Sequence, residues 1–289
     1  MNEKRIKIKK LKPKLIKEIK ELNSTRSDDI NNFIINFITN VYRRHESIAF
    51  LRKEFEPTDS RNIQDSKVFK VAIGLYVSSL ITCWETLFRD LFIFIASNDN
   101  EIQVRIRSFL KEQGIELGKL SGLEINEIEY MSKQFNFQDL EHTCEAFNFL
   151  LEREEIRITD YLNDVGDLPF VFSDLNHIVL WLKQGTDFTK KQIFNNLNHA
   201  FEIRHKVIHD ANFIVELSWE DIDKFESCFI TFPQFIMAWL ATKYNQNRII
   251  GYIVDGKPTM FLSNEELKKG WFIQIWSKKD FYSDYDVVK

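Results

Sequence analysis

The stretch TKKQIFNNLNHAFEIRHKVIHD, residues 189–210, decides how the chain is read. Phe194, Leu197, Phe201, Ile203 and Val207 recur at spacings that gather on one side of a helix. The pattern predicts a helix from Thr189 to Ile208, left around Asp210 to Phe213. A further helix follows, because Ser218-Trp219-Glu220-Asp221 has the spacing of a capping box. It is expected to run to about Tyr244, with Pro233 producing a kink or break.

Two more long helices are expected upstream. Ser27 or Asp28 suits an N-cap, and Ile30, Phe33, Ile34, Phe37, Ile38 and Val41 make an apolar stripe after it. That helix stops near Pro57, and residues 57–66 read as a loop. The second covers about Ser66 to Ala96. Val68, Ala72, Leu75, Tyr76, Ser79, Leu80, Cys83, Trp84, Leu87, Leu91 and Phe94 form its wide buried stripe. Asn98, Asp99 and Asn100 end it with turn chemistry. The middle is broken by Gly114, Gly118, Gly122 and Gly166, with helical stretches near 101–113, 124–134 and 138–162 and an irregular loop over 166–175. The tail turns β-rich. Arg248 to Val254, an Asp255-Gly256 hairpin signal, Thr259 to Leu262, a capping box at Ser263 to Glu266 and Trp271 to Trp276 read as strands around a short helix.

The organisation that follows is mainly α. Residues 1–27 are a basic N-terminal arm, 28–246 a helical domain with 101–188 inserted or irregular, and 247–289 a small β-containing appendage. Leu11, Leu15, Ile16 and Ile19 give the arm some helical patterning. A solvated arm, a phosphate-contacting arm and a partner-docking segment all fit it.

Composition supports a folded helical chain. Among 289 residues there are 26 Phe but only 9 Gly and 5 Pro, so breakers are scarce and bulky core residues plentiful. The net charge of −4 argues against a non-specific DNA binder, yet leaves room for RNA at a local basic cleft. Cys83, Cys144 and Cys228 are far apart and without CxxC spacing, and read as buried, reduced thiols. The basic leader lacks the apolar run of a secretory signal. Glu85, Arg89 and Asp90 interrupt the best membrane-span candidate, Leu75 to Ala96. The expected location is the cytoplasm, with no membrane partner.

Chemistry concentrates in Phe201 to Asp210. Arg204 is followed directly by His205 and, five positions on, by His209. Five residues of helix turn by about 140°, so Arg204 and His209 point apart if the helix stays regular. Either the helix ends before His209, or the site is composite and draws on a second subunit. His205 and His209 are one turn apart and share a face, which makes His205 a second proton or phosphate group. The bland alternative is that Arg204 and His209 close a helix C-terminus as structural cations. Glu85 and Arg89 fit an i,i+4 ion pair. Alternatively, one of them orients Arg204 or contacts RNA. His199, His205, His209 and Asp210 offer a metal-site alternative, since His205 and His209 one turn apart could bind zinc. However, no HExxH is present and His199 falls on another side of the helix from His205, so neither metal nor cofactor is expected. His45, His142 and His177 have no recognisable partners. Trp181, Trp239, Trp271 and Trp276 read as core or interface residues.

In its Arg204-to-His209 spacing, its polar His205 after the arginine and its long helices over 28–98 and 189–245, the chain resembles the HEPN superfamily with its R-x4–6-H motif. Some HEPN toxins carry a Tyr two positions after the His, where this chain has Ala211. The resemblance implies about four helices that dimerise and bring two motifs into one cleft. It also implies a metal-independent endoribonuclease of phage-defence or toxin–antitoxin type, with RNA as substrate and a regulatory protein as a further partner. Arg204 and His209, with His205, are then catalytic. Glu85, Arg89, Lys206 and Asp210 are supporting or RNA-binding residues. The alternative within the same family is a non-catalytic dimerisation and interaction module. Histidine suits proton transfer near neutral pH, and arginine holds phosphate oxygens in a permanent charged fork. Attack by the RNA's own 2′-OH leaves a 2′,3′-cyclic phosphate and a 5′-OH.

Overall fold

The computed structural model describes residues 8–23, 30–55, 67–153, 156–165, 170–172, 176–210, 212–244, 253–254, 257–258 and 273–275. The fold is mainly helical. Two compact units form, one from residues 1–30 and 85–158, the other from 31–84 and 159–289.

In the first unit, helix α1 (Pro13–Asn23) buries Leu15 and Ile19, two of the four apolar positions seen in the leader. Helix α2 (Ile30–Phe55) belongs to the second unit. Helix α3 (Lys67–Asn98) gives its last part to the first unit, where Leu87, Phe88, Leu91, Phe92 and Phe94 are buried. The Asn98 to Asn100 turn is immediate, because the Asp99 side chain accepts from the N–H groups of Glu101 and Ile102 and caps α4 (Asn100–Glu112). Ile102, Ile106 and Leu110, spaced by four, face inward. Short helices α5 (Leu117–Gly122) and α6 (Glu127–Ser132) follow, then α7 (Leu140–Leu151), capped by Asp139. Arg105 Nη1 donates to the carbonyls of Phe149 and Leu150 at 3.2 and 2.8 Å and so satisfies the end of α7. The core here is aromatic. Phe88 meets Phe147 edge-on at 5.5 Å between centroids, and Phe92 meets Phe135 at 5.4 Å.

The second unit joins α2 and the first part of α3 to a turn of 3-10 helix (Ile158–Tyr161), α8 (Leu162–Val165), α9 (His177–Leu182), α10 (Thr186–His209) and α11 (Trp219–Lys243). Trp84 is fully buried and organises it, with Phe201 of α10 edge-on at 5.9 Å, Phe229 of α11 edge-on at 5.8 Å and Phe232 stacked at 6.3 Å. Short ladders are also present. β1 (Phe170–Phe172) runs parallel to β4 (Ile273–Ile275), and β2 (Ile253–Val254) pairs antiparallel with β3 (Lys257–Pro258). The remainder of the expected β-rich tail lies outside the described residues, as do the Ser27 and Asp28 caps.

Several expectations need correcting. Val68 and Leu75, assigned to the core stripe of α3, are 71% and 60% exposed, whereas Phe69, Ile73 and Val77 are buried. Nearly every position in the first half of α3 is apolar or small, so periodicity alone does not say which side is covered. Pro233 does not break α11, which continues from Trp219 to Lys243. A proline removes one N–H and crowds the carbonyl four residues earlier, but buried Phe229, Phe232, Phe235 and Ile236 hold the helix through it. On α10 the buried face is Ile193, Leu197, Ala200, Phe201 and Ile203, while Phe194 and Val207 are half-buried. Cys83 and Cys228 are buried but Cys144 is only half-buried. Residues 170–172, expected to be irregular, form β1, because their partner strand lies far away in sequence.

Val68–Asn98 is long and apolar enough to cross a membrane by length and composition. Its side chains at Tyr76, Leu80, Trp84, Phe88, Leu91 and Ile95 are spent instead on the two cores.

Candidate functional site

Helix α10 carries the Arg204-to-His209 motif on its last two turns. It begins at Gly185, whose φ of 113° suits only glycine, and Thr189 Oγ1 donates back to the Gly185 carbonyl at 2.9 Å. Phe201 and Ile203 anchor its far end in the core. The Asp210 N–H donates to the Lys206 carbonyl at 2.8 Å, so helical bonding extends past His209. The chain then turns away, with the Asn212 N–H donating to Asp210 Oδ1 at 2.9 Å and the Phe213 N–H to the Asp210 carbonyl at 3.0 Å.

This decides the local geometry. Because α10 stays helical through His209, Arg204 and His209 leave the helix in different directions. Arg204 is half-buried, while His205, Lys206, His209 and Asp210 are exposed. His205 and His209 lie together, their ring centroids 4.7 Å apart. Lys206 Nζ sits 5.5 Å from the centre of the Phe213 ring. Among the described residues, no group of three His, Cys, Asp or Glu side chains stands close enough to share a metal.

Beside the motif helix, apolar contacts at Val207 and Val215 stand next to an ion pair between Lys70 Nζ of α3 and Glu216 Oε1 at 3.2 Å. A Cβ on Gly74 of α3 would come within 2.9 Å of side-chain carbons of both Val207 and Val215, so the missing side chain lets α3 approach the end of α10. On the turns around Gly74, Val68, Val71 and Leu75 are 71%, 56% and 60% exposed, and Ile208 within the motif is 52% exposed. Val68, Val71 and Leu75 share one helix face.

Glu85 and Arg89 lie in the first unit as an i,i+4 pair, with Arg89 Nη2 donating to Glu85 Oε1 at 2.5 Å. Glu85 also accepts from Gln138, and the Arg89 guanidinium lies 5.8 Å from the centre of the Phe137 ring.

Sequence reading missed a buried cluster in the second unit. Glu226 of α11 accepts from Tyr76 Oη at 2.6 Å and contacts His45 Nδ1 at 2.6 Å, all three residues being buried. The signal lay in Glu226 falling between the apolar positions Ile222, Phe225 and Phe229 on the inner face of α11. His142, by contrast, sits exposed 3.3 Å from Asp139, and the His177 ring lies 5.8 Å from that of Trp181 at a tilt of 36°.

No family model, curated protein or solved structure matches this chain.

Proposed function

We propose that this chain is a metal-independent endoribonuclease of HEPN type, acting as a homodimer through Arg204, His209 and His205. The observation that carries the reading is the paired imidazoles. Two histidines one turn apart on the exposed face of a helix, 4.7 Å between rings, sit one residue past a half-buried arginine. Cations near a helix C-terminus are favourable on their own, so it is the exposed pairing of the two imidazoles, rather than the charge, that supports the reading.

The chemistry follows from the side chains. One imidazole takes the proton of the RNA 2′-OH as O2′ attacks the adjacent phosphorus. The P–O5′ bond breaks, and a protonated imidazole delivers a proton to the departing O5′. Negative charge collects on the non-bridging oxygens, where the Arg204 guanidinium stabilises it. The products are a 2′,3′-cyclic phosphate and a 5′-OH, and no further reactant is consumed. Arg204 and His209 diverge on one helix, so a second copy supplies the facing group. The exposed apolar side chains of Val68, Val71 and Leu75 on α3, which meets α10 at Gly74, and of Ile208 on α10 suit such pairing. Lys206 and Asp210 flank the site, with Lys206 available to RNA phosphates.

The same exposed side chains support a second reading, a non-catalytic HEPN module that uses them only to bind a protein. One experiment separates the two. Pure protein is incubated with total RNA in excess EDTA, beside Arg204→Ala and His209→Ala. Cleavage with 2′,3′-cyclic phosphate ends, reduced at least about a hundredfold in both variants, supports the enzyme. An intact dimer that leaves RNA uncut favours the interaction module.

A further inference from the structure

The basic leader forms a charged cavity in the first unit, and nothing in the Arg204 site uses it. The cavity, of about 440 Å³, is lined by Lys9, Lys10, Lys12, Lys14, Leu15 and Glu18. Pockets of this size usually owe their walls to apolar side chains with a few polar groups. Here four lysines and one glutamate supply five of the six lining residues. That carboxylate is shared, with Lys14 4.0 Å and Lys133 3.9 Å from Glu18. Among the described residues, Lys10 and Lys12 have no ion-pair partner, whereas Lys14, Lys17 and Lys20 each have one.

The cavity wall is held in place. The Lys9 N–H donates to Gln134 Oε1, Tyr130 Oη donates to the Lys9 carbonyl, and Lys9 Nζ donates to the Lys133 carbonyl, each at 2.6 Å. Leu15 and Ile19 pin the helix that follows. Burial pushes the Lys9 and Lys133 ammonium groups below their ordinary range. The nearby Arg89 charge adds to this, and Glu18 and Glu85 offset it. Arg89 spends Nη2 on Glu85, while its buried Nε–H finds no acceptor. Lys9, Lys133 and Arg89 thus stand near one another with Glu18 and Glu85 between them, and Lys10, Lys12 and Lys14 line the same cavity as Lys9 and Glu18. In a chain of net charge −4, this concentration of positive charge is local and costs mutual repulsion that a bound anion relieves.

We propose that this cavity is a phosphate-binding site, filled by the backbone phosphates of single-stranded RNA. Lysine fits the chemistry as a point charge for phosphate oxygens, without the fork that reads a base edge. Lys9, Lys10 and Lys12 lie on non-helical chain before α1 begins at Pro13, so their charges follow one another in a row. A row matches a polymer with one charge per nucleotide better than it matches a single ion. The choice of RNA rests on the reading of the chain as a ribonuclease. The phosphate chemistry does not.

The test uses the full chain carrying Arg204→Ala and His209→Ala, so that the motif contributes neither cleavage nor its own cations. The probe is a fluorescent, uncleavable 2′-O-methyl oligonucleotide of about twelve nucleotides. Lys10→Glu with Lys12→Glu is the comparison. Both side chains are exposed, and an unchanged melting temperature verifies the fold. The reversal is expected to weaken binding by about tenfold or more at low salt. It should also flatten the dependence of log affinity on log salt by about one unit per lysine. Inorganic tripolyphosphate should compete with the oligonucleotide in the parent and not in the variant. Unchanged affinity and slope would overturn the proposal. Tripolyphosphate binding that the reversal abolishes, with no oligonucleotide binding in either protein, would overturn the RNA assignment and leave a site for free polyphosphate. Failure of the EDTA cleavage assay leaves this measurement intact, because its probe is never cut.

Discussion

At the scale of single residues, the most exacting position is Glu226. Its carboxyl is buried among apolar side chains of α11 and is held by Tyr76 and His45. Removing one member of such a set leaves polar groups buried without partners, which costs more than the pair contributes net. Glu226→Ala is expected to destabilise the fold by about 3–5 kcal/mol. Glu226→Gln, which still accepts from Tyr76, should cost less, and urea unfolding midpoints should rank wild type above Gln above Ala. An Ala variant as stable as wild type would remove the cluster from the list of structural requirements. Cys83 supplies a second residue-scale prediction. Burial raises its thiol from the ordinary 9.0 to about 11, with the Arg44 charge offsetting part of the rise. The unfolded thiol ionises first as pH rises, so thiolate formation favours the unfolded chain within that window. Stability should therefore be insensitive to this group below about pH 9 and should fall between about pH 9 and 11. Cys83→Ala should flatten that part of the profile of unfolding free energy against pH. An unaltered alkaline slope would count against it.

At the scale of elements, α3 and α10 meet where Gly74 leaves room for Val207 and Val215. Glycine inside a helix is unfavourable by about 1 kcal/mol relative to alanine, so Gly74→Ala should stabilise α3 taken alone. In the folded unit the new methyl falls 2.9 Å from two valine side chains, and overpacking of this kind costs about 1–3 kcal/mol. The net expectation is a small loss of stability, accompanied by a larger loss of cleavage, because the displaced element carries Arg204 and His209. Thermal melts and the EDTA assay on one preparation would measure both, and a stabilised, fully active variant would contradict the packing argument. The same elements explain what the sequence made legible. Helix α11 announced itself through Ser218 and Asp221, whose reciprocal bonds form as expected, because a capping box is a local signal. The motif helix was equally plain from Leu197, Phe201 and Ile203. The exposure of Val68 and Leu75 was not, since a helix apolar on most sides leaves to tertiary packing the choice of covered face. Neither were the Glu226 contacts with His45 and Tyr76 or the leader contacts of Lys9 with Tyr130, Lys133 and Gln134. These join residues more than a hundred positions apart, and local patterning carries no trace of such distances.

At the scale of the whole molecule, the question is what a second copy contributes. Helix α10 holds Arg204 and His209 on diverging directions, while Ile208 of α10 and Val68, Val71 and Leu75 of α3 leave apolar side chains exposed. A homodimer in which the arginine of one copy faces the histidines of the other has a genetic signature. Arg204→Ala and His209→Ala should each be inactive alone. Mixed and allowed to exchange subunits, they should regain a substantial part of wild-type cleavage, because a heterodimer retains one arginine from one copy and one His209 from the other. If each copy instead used its own pair, no mixture would recover activity, since every chain would lack one member. Leu75→Glu introduces charge into the proposed contact while leaving Arg204, His205 and His209 unchanged. It should shift the protein towards monomer in sedimentation and abolish the recovery. A Leu75→Glu protein that is monomeric yet cleaves at the wild-type rate would end the case for a shared site, whatever became of the individual variants.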